Sequence, residues 1–255
     1  MPYRPIVATV GAVYKVPMKL ADQRVLVIGG SSGIGLGIAT AAATGGAFVV
    51  IAGRSPERLA AARASLPRER SAVEVLDVTA EAQVRTLLKE RQPPFDHIAI
   101  TAATAYVERV VAFDLDRVRQ VLEAKIVAAI AVAKHARLRA GGSLLLTAGI
   151  NALRPMPGVA AVSAANGGLI ALGRALAVEL APLRVNVLSP GWVDTPIWDA
   201  FGPGEKERRL AEQATRLPTR RVGTPQDLGE AAVFAMANGF VTGTVLEVDG
   251  GHRLV

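Results

Sequence analysis

The sequence predicts an α/β fold, with a single-domain Rossmann-type doubly wound parallel sheet of about seven strands and helices on both faces. Short β-branched apolar runs alternate with Ala-rich amphipathic segments, which is the pattern of buried parallel strands joined by helical crossovers. A glycine-rich loop directly follows the first strand and opens a helix, as at the start of a dinucleotide-binding βαβ unit. A chain of 255 residues fits one domain of this class.

The elements follow in order from this alternation. The predicted strands are Val25–Ile28, Phe48–Ile51, Val73–Leu76, Ile98–Ile100, Leu144–Thr147, Val185–Leu188 and Val245–Val248. The predicted helices are Gly35–Ala43, Pro56–Ser65, Ala80–Arg91, Asp114–Ala140, Gly158–Ala181 and Pro225–Ala237. Ser55-Pro56 and Thr224-Pro225 each place a capping residue before a proline at the first helical position.

Two segments lie outside this alternation. Residues 1–19 precede the first strand and are expected to form an N-terminal extension, so that the domain spans residues 20–255. Residues 192–218 combine Pro, Gly, two Trp and a charged cluster, and we expect a mobile lid or substrate loop there.

Composition excludes several classes of protein. Hydrophobic residues make up 51% and charged residues 20%, which argues against a disordered chain, and the absence of Cys excludes disulfides, thiolate metal sites and cysteine catalysis. No metal site is expected. The net charge is +7, but the Arg residues are scattered and no basic run has interleaved aromatics, so we expect a phosphate-bearing small molecule and no nucleic acid. No apolar run reaches the ~18 residues of a membrane span and no signal-cleavage pattern follows the N-terminus, so we expect a cytoplasmic protein without membrane contact.

The glycine-rich loop is the strongest local signal. Glycines allow a tight turn and a close backbone approach to a pyrophosphate, and the N-terminus of the following helix offers free N–H groups. The residues predicted to contact the cofactor here are Gly29, Ser31, Ser32, Gly33, Ile34 and Gly35.

The end of the second strand indicates which cofactor is bound. An NAD site usually places a carboxylate there for the ribose hydroxyls, but Gly53 supplies none. Arg54 can pair with a 2′-phosphate, and Ser31 or Ser55 can add hydrogen bonds. The sequence therefore predicts NADP(H) in preference to NAD(H), the alternative being that Arg54 is a solvated loop charge.

Further motifs follow the glycine loop in order: Asp77-Val78, Arg184–Gly191 with Thr195, Gly223-Thr224-Pro225, Thr242-Gly243 and Asp249-Gly250-Gly251. On these motifs the chain from Leu20 to Gly251 resembles the short-chain dehydrogenase/reductase family, with Ile28 where the family's glycine motif begins with Thr. The resemblance implies a Rossmann-type domain that assembles into homodimers or homotetramers. It also implies an adenine contact at Asp77 and Val78 and a nicotinamide contact at Pro190, Gly191, Val193 and Thr195.

The catalytic positions depart from the family pattern. The positions of its Asn, Ser, Tyr and Lys hold Lys125, Gly149, Val162 and Asn166. Its Asn-Asn-Ala-Gly segment reads Ile100-Thr101-Ala102-Ala103. Carbonyl reduction needs an acid for the developing alkoxide, and neither Val162 nor Gly149 can provide a proton.

Lys125 and Asn166 exchange the family's Asn and Lys, so an ammonium at 125 is predicted to reach the cofactor ribose from the opposite helix, unless Lys125 is an ordinary helix residue. Candidate replacement acids are Tyr106, Lys125, Thr147 and Ser163, although Tyr106 also fits a packing aromatic.

Three functions remain open. The first is an NADP(H)-dependent oxidoreductase with a non-standard active site, the second a non-catalytic nucleotide-binding sensor or subunit, and the third a lyase or isomerase that reuses the pocket without net redox change. A small hydrophobic carbonyl or alcohol is the expected substrate, because the residues predicted to line the pocket are apolar: Leu153, Met156, Val159, Trp192 and Trp198.

Overall fold

The computed structural model describes residues 19–90 and 93–255, so the predicted N-terminal extension lies outside the described residues except for Lys19. Seven parallel strands form one sheet: β1 (Arg24–Ile28), β2 (Phe48–Gly53), β3 (Ser71–Val75), β4 (Phe95–Ile100), β5 (Leu138–Thr147), β6 (Arg184–Pro190) and β7 (Val245–Val248). Their order across the sheet is β3-β2-β1-β4-β5-β6-β7. The predicted single-domain, doubly wound fold is confirmed.

Helices cover both faces of the sheet. They are α1 (Gly33–Thr44), α2 (Pro56–Ala64), α3 (Glu81–Glu90), α4 (Leu115–Leu122), α5 (Ala128–His135), α6 (Ala160–Glu179), α7 (Glu205–Arg216) and α8 (Pro225–Ala237). Successive residues of β1 point to opposite layers: Val25 and Val27 lie in the layer covered by α1 and α8, while Leu26 and Ile28 lie in the layer covered by α3, α5 and α6. This pattern explains why the strands are apolar along their whole length.

The two predicted helix starts are confirmed. Ser55 Oγ accepts a hydrogen bond from Arg58 N at 3.2 Å at the start of α2. Thr224 and Asp227 exchange hydrogen bonds as a capping box at the start of α8. In both α2 and α8, a proline occupies the first helical position.

The single helix predicted over Asp114–Ala140 is wrong. A π-helical turn over Glu123–Val127 separates α4 from α5, and α5 ends at His135 because the chain at Leu138 already pairs with Phe95 of β4. Strand pairing with a distant segment overrides the local helical pattern here. The π-turn carries Lys125 into the interior, where it is 8% exposed.

The segment 192–218 contains regular secondary structure. It contains a 3₁₀ turn over Pro196–Phe201 and the whole of α7. Ion pairs between side chains four positions apart, such as Arg209 with Glu205 and Arg216 with Glu212, stabilise α7, and Leu210 is its buried residue. The sequence prediction did not include α7, and a mobile lid or substrate loop over residues 192–218 stays a prediction.

α6 is 20 residues long and apolar enough to cross a membrane by length and composition alone, although the sequence prediction did not single it out. Leu169 and Leu176 of α6 lie in the same core layer as Val185 and Val187 of β6. One face of α6 therefore packs against the sheet of this domain.

Candidate active site and nucleotide-binding loop

The glycine loop joins β1 to α1 in a tight turn at the carboxyl end of the sheet. Gly29 has a φ of +87°, a conformation that favours glycine. A Cβ at position 35 would collide with the carbonyl oxygen of Gly29, so the loop and the first turn of α1 pack backbone against backbone. Thr101, just after β4, holds this turn because its Oγ1 donates to the carbonyl oxygen of Ile28 at 3.1 Å.

The N-terminus of α1 suits an anionic ligand. Its capping residue, Ser32, makes no side-chain cap hydrogen bond, and the first turn holds no acidic residue. The backbone N–H groups of this turn are thus left to a ligand, and the helix dipole favours a negative one. The residues present at this loop fit a dinucleotide pyrophosphate.

A second arginine, Arg58, lies beside the glycine loop, near the end of β2 that carries Arg54. Arg58 of α2 donates from Nη2 to Ser32 Oγ at 2.9 Å, which places a guanidinium beside the loop. Ser31 Oγ lies 3.9 Å from where a Cβ at Gly53 would stand. Ser55 caps α2 and also donates to Glu57 Oε2 at 2.8 Å, so its hydroxyl is engaged within α2. Sequence reasoning missed Arg58, although its spacing of four residues from Arg54 was a readable signal.

Asp77 and Val78 follow β3 at the same edge of the sheet. Asp77 Oδ1 accepts from the hydroxyl and the backbone N–H of Thr79, at 2.7 and 3.0 Å. The Thr79 hydroxyl holds the pKa of Asp77 below its usual value, and the charge of Arg54 acts in the same direction. Val78 is buried.

The segment after β6 folds back over the glycine loop. Thr195 is buried, and its Cβ lies 3.2 Å from where a Cβ at Gly33 would stand. Val193 is buried and forms a β-bridge with Gly223. Gly191 follows Pro190, the last residue of β6, and packs directly against Asp249. The structure thus brings together Gly33 and Thr195, two predicted cofactor contacts that are far apart in the chain.

Two tryptophans stabilise the segment that follows β6. The rings of Trp192 and Trp198 stack with centroids 4.3 Å apart, and Trp198 Nε1 donates to the carbonyl oxygen of Val193 at 2.7 Å. Lys206 of α7 adds ion pairs to Asp194 at 2.9 Å and to Asp199 at 3.5 Å.

Lys125 lies at the carboxyl end of β5. Its Nζ donates to the carbonyl oxygens of Thr147 and Ala148, at 2.8 and 3.2 Å. Burial lowers the pKa of this amine to about 8. The observed partners of Lys125 are therefore backbone carbonyls of β5 and the residue after it, and its predicted contact with a cofactor ribose stays a prediction.

The other candidate acids have different surroundings. The hydroxyls of Thr147 and Ser163 are buried and have no hydrogen-bond partner among the described residues. Tyr106 lies in the segment between β4 and α4, where its ring packs on Phe113 and its Oη accepts from the Asp114 N–H at 3.0 Å. These contacts fit the packing alternative for Tyr106.

Gly149 and Asn166, which hold the positions of the family's catalytic Ser and Lys, lie against each other. A Cβ at Gly149 would stand 2.9 Å from Asn166 Nδ2, and Asn166 is 3% exposed. Val162, one turn earlier on α6, is half-buried.

Of the predicted pocket residues, Val159 and Trp192 are buried, Trp198 is half-buried, and Leu153 and Met156 are exposed. Sequence reasoning missed a second apolar segment, between β4 and α4, whose exposed side chains include Val107, Val110 and Val111. The two segments meet where Glu108 N donates to the carbonyl oxygen of Gly158 at 2.8 Å.

Comparisons with known proteins agree with this geometry. A family model described as enoyl-(acyl carrier protein) reductase matches residues 29–253. The short-chain dehydrogenase/reductase malC of Malbranchea aurantiaca is 33% identical over 253 residues, covering 92% of this chain and 96% of that protein. The solved structure of the MalC reductase/Diels-Alderase from the same organism has a TM-score of 0.86 at 32% identity, covering 93% of this chain and 98% of that one.

A small-chain dehydrogenase solved in complex with NADPH has a TM-score of 0.76 at 29% identity, covering 92% of this chain and 100% of that one. The family model, the relatives along nearly the whole chain and the shared sheet lead to one conclusion: the chain belongs to the short-chain dehydrogenase/reductase family.

Proposed function

We propose that the protein is an NADP(H)-dependent oxidoreductase that acts on a small hydrophobic carbonyl or alcohol through a non-standard active site. The observation that carries this proposal is the uncapped N-terminus of α1 behind a close-packed glycine loop, with Arg58 bound to Ser32 beside it. The NADPH complex of a related dehydrogenase supports the nicotinamide cofactor.

Each part of the site has a role in this proposal. The glycine loop and α1 bind the pyrophosphate, Arg54 and Arg58 bind the 2′-phosphate, and Thr195 orients the nicotinamide end. A nicotinamide cofactor held by these residues would supply hydride chemistry for the reduction of a carbonyl carbon. The carbonyl oxygen must then gain a proton, which Lys125 can carry near neutral pH because its pKa is about 8. The hydroxyls of Thr147 and Ser163 are available to pass it on.

The apolar segments after β4 and β5 support a hydrophobic substrate. Val111 is 95% exposed and Leu153 47% exposed, and exposed apolar side chains grouped beside a cofactor site are typical of surfaces that contact a ligand.

The test is oxidation of NADPH by purified protein across a panel of hydrophobic ketones and aldehydes, with sugars as polar controls. We expect turnover with the hydrophobic members and a preference for NADPH over NADH. NADPH binding without any turnover would contradict the oxidoreductase and favour the non-catalytic alternative. Preference for sugars would contradict the substrate class.

A second candidate function is a cyclisation without net redox change. Val162 and Gly149 offer no proton donor, and a pericyclic ring closure needs none. The relative described as a reductase/Diels-Alderase supports this candidate. Turnover of a diene–dienophile substrate at equal rates with and without NADP(H) would favour it over reduction.

A further inference from the structure

Gly149 is a glycine for reasons of space. It follows β5 directly, and its backbone is extended, with φ 168° and ψ 157°, a conformation open to any residue. A Cβ at this position would stand 2.9 Å from Nδ2 and 3.6 Å from Cγ of Asn166. The Asn166 amide therefore occupies the place that a side chain at position 149 needs.

The amide is buried and lacks a partner. Asn166 is 3% exposed, and its Oδ1 has no hydrogen-bond partner among the described residues. Leaving a buried polar atom unpaired costs free energy, so such an atom points to a ligand that pairs with it. The residue before Gly149, Ala148, accepts a hydrogen bond from Lys125, which places the amide at the same end of β5 as the buried ammonium.

We propose that the Asn166 amide binds the oxygen of the substrate in both of its oxidation states. This inference rests on the proposed oxidoreductase function. An amide carries a donor and an acceptor, so Nδ2 donates to a carbonyl oxygen and Oδ1 accepts from an alcohol hydroxyl. A lysine or a guanidinium at this position would donate only. The pair Gly149–Asn166 is thus matched to a carbonyl/alcohol couple, and Asn166 is a substrate-binding residue that does not itself supply the proton.

The test uses Asn166→Ala, Gly149→Ala and the double variant in the full chain. We expect Asn166→Ala to lower kcat/KM for carbonyl reduction about ten-fold or more, with NADPH affinity within about three-fold of wild type. Gly149→Ala should lower kcat/KM similarly because its Cβ displaces the amide. In the double variant, Gly149→Ala should not lower kcat/KM below that of Asn166→Ala alone, because the amide that its Cβ would displace is already absent. Gly167→Ala is the matched control, because a Cβ at the adjacent Gly167 meets no atom within 4 Å.

Two further variants keep the test decisive if Gly149→Ala fails to fold. Asn166→Asp keeps the acceptor and loses the donor, so it should weaken binding of the ketone to the NADP⁺-bound enzyme more than binding of the alcohol to the NADPH-bound enzyme, each measured as dead-end inhibition. Gly149→Ser with Asn166→Ala places a hydroxyl in the vacated space and should recover part of the lost activity.

The outcomes separate the two claims. A wild-type protein that reduces no member of the panel overturns the proposed function and this inference with it. A wild-type protein that turns over while Asn166→Ala keeps its activity within about two-fold overturns this inference alone.

Discussion

Lys125 buries an amine against two backbone carbonyls at the end of β5. Lys125→Met keeps the length of the side chain and removes the charge. We expect it to slow the chemical step about ten-fold or more while leaving NADPH affinity within a few-fold, because the ammonium acts at the reaction end of the site. Single-turnover oxidation of NADPH measures this. Lys134→Met is the control, since Lys134 is exposed and pairs with Glu81. Equal rates for wild type and Lys125→Met would refute a role for this charge.

The pKa of Lys125 also predicts a pH dependence of stability. Burial lowers it from 10.5 to about 8, so the folded state binds fewer protons than the unfolded state between these values. The free energy of unfolding of the wild type, relative to Lys125→Met, should therefore rise as the pH increases through this window. The ceiling is about 1.4 kcal/mol per unit of pKa difference. Urea unfolding of both proteins at about pH 7 and about pH 9.5 checks the sign, and parallel profiles would show that the amine is not desolvated.

Arg54 and Arg58 set the proposed cofactor preference. Arg54→Ala should weaken NADPH binding by about 1.5–3 kcal/mol, the scale of a hydrogen bond to a charged group, and change NADH binding little. Arg58→Ala should weaken NADPH binding in the same direction, because its guanidinium is already held beside the loop by Ser32. Titration by nicotinamide fluorescence measures both. Arg63→Ala, exposed near the end of the same helix, should bind like wild type. Equal wild-type affinities for NADPH and NADH would contradict the preference.

At the scale of elements, Lys206 joins α7 to the segment that carries the stacked tryptophans. Lys206→Met removes both ion pairs, and we expect the segment to loosen and the environment of Trp192 and Trp198 to change. These are the two Trp residues of the chain, so intrinsic fluorescence reports on this segment directly. Arg208→Gln is the control, because the pairs of Arg208 with Glu205 and Glu212 lie within α7. Unchanged emission in Lys206→Met, at low and high salt, would mean that the tryptophan stack holds without α7.

The whole molecule leaves apolar side chains exposed on α4, α5 and α6. The family resemblance implies a homodimer or homotetramer, and the segments Asp114–Ala140 and Gly158–Ala181 carry more apolar and small residues than one face buried on the sheet requires. The structure divides these apolar and small residues. Ala128, Ala131, Val132 and Ala161 are buried in this chain's own core, whereas Val127, Ile130, Ala164 and Ala171 are exposed. Homo-oligomerisation stays a prediction.

We expect light scattering at micromolar concentration to give a homodimer or homotetramer. Ile130→Glu should shift the protein toward the monomer, because it places a charge in the proposed contact between copies. Val75→Glu is the control, since Val75 is 60% exposed at the end of an edge strand on the other side of the sheet. A strict monomer in the wild type would refute the prediction.

Local patterns predicted most of the fold because they depend on neighbours in the chain. Runs such as Val25–Ile28 are apolar throughout since both faces of a central parallel strand are buried, and this can be read without knowing the partners. The same holds for the glycine loop, whose spacing specifies a turn into α1. The charge spacing of α7 also indicates a helix, although its Gly and Pro neighbours are typical of a loop.

The sequence by itself determined the fold class, the seven strands and the glycine loop that opens α1, and it predicts that positions 149 and 162 lack the hydroxyl donors of the family. Only the tertiary structure decided that Lys125 turns inward on a π-turn, that Arg58 reaches Ser32, and that the Asn166 amide occupies the space beside Gly149. Each of these depends on side chains from different elements meeting at the carboxyl end of the sheet. Periodicity and spacing describe one element at a time, whereas such contacts depend on how the elements pack.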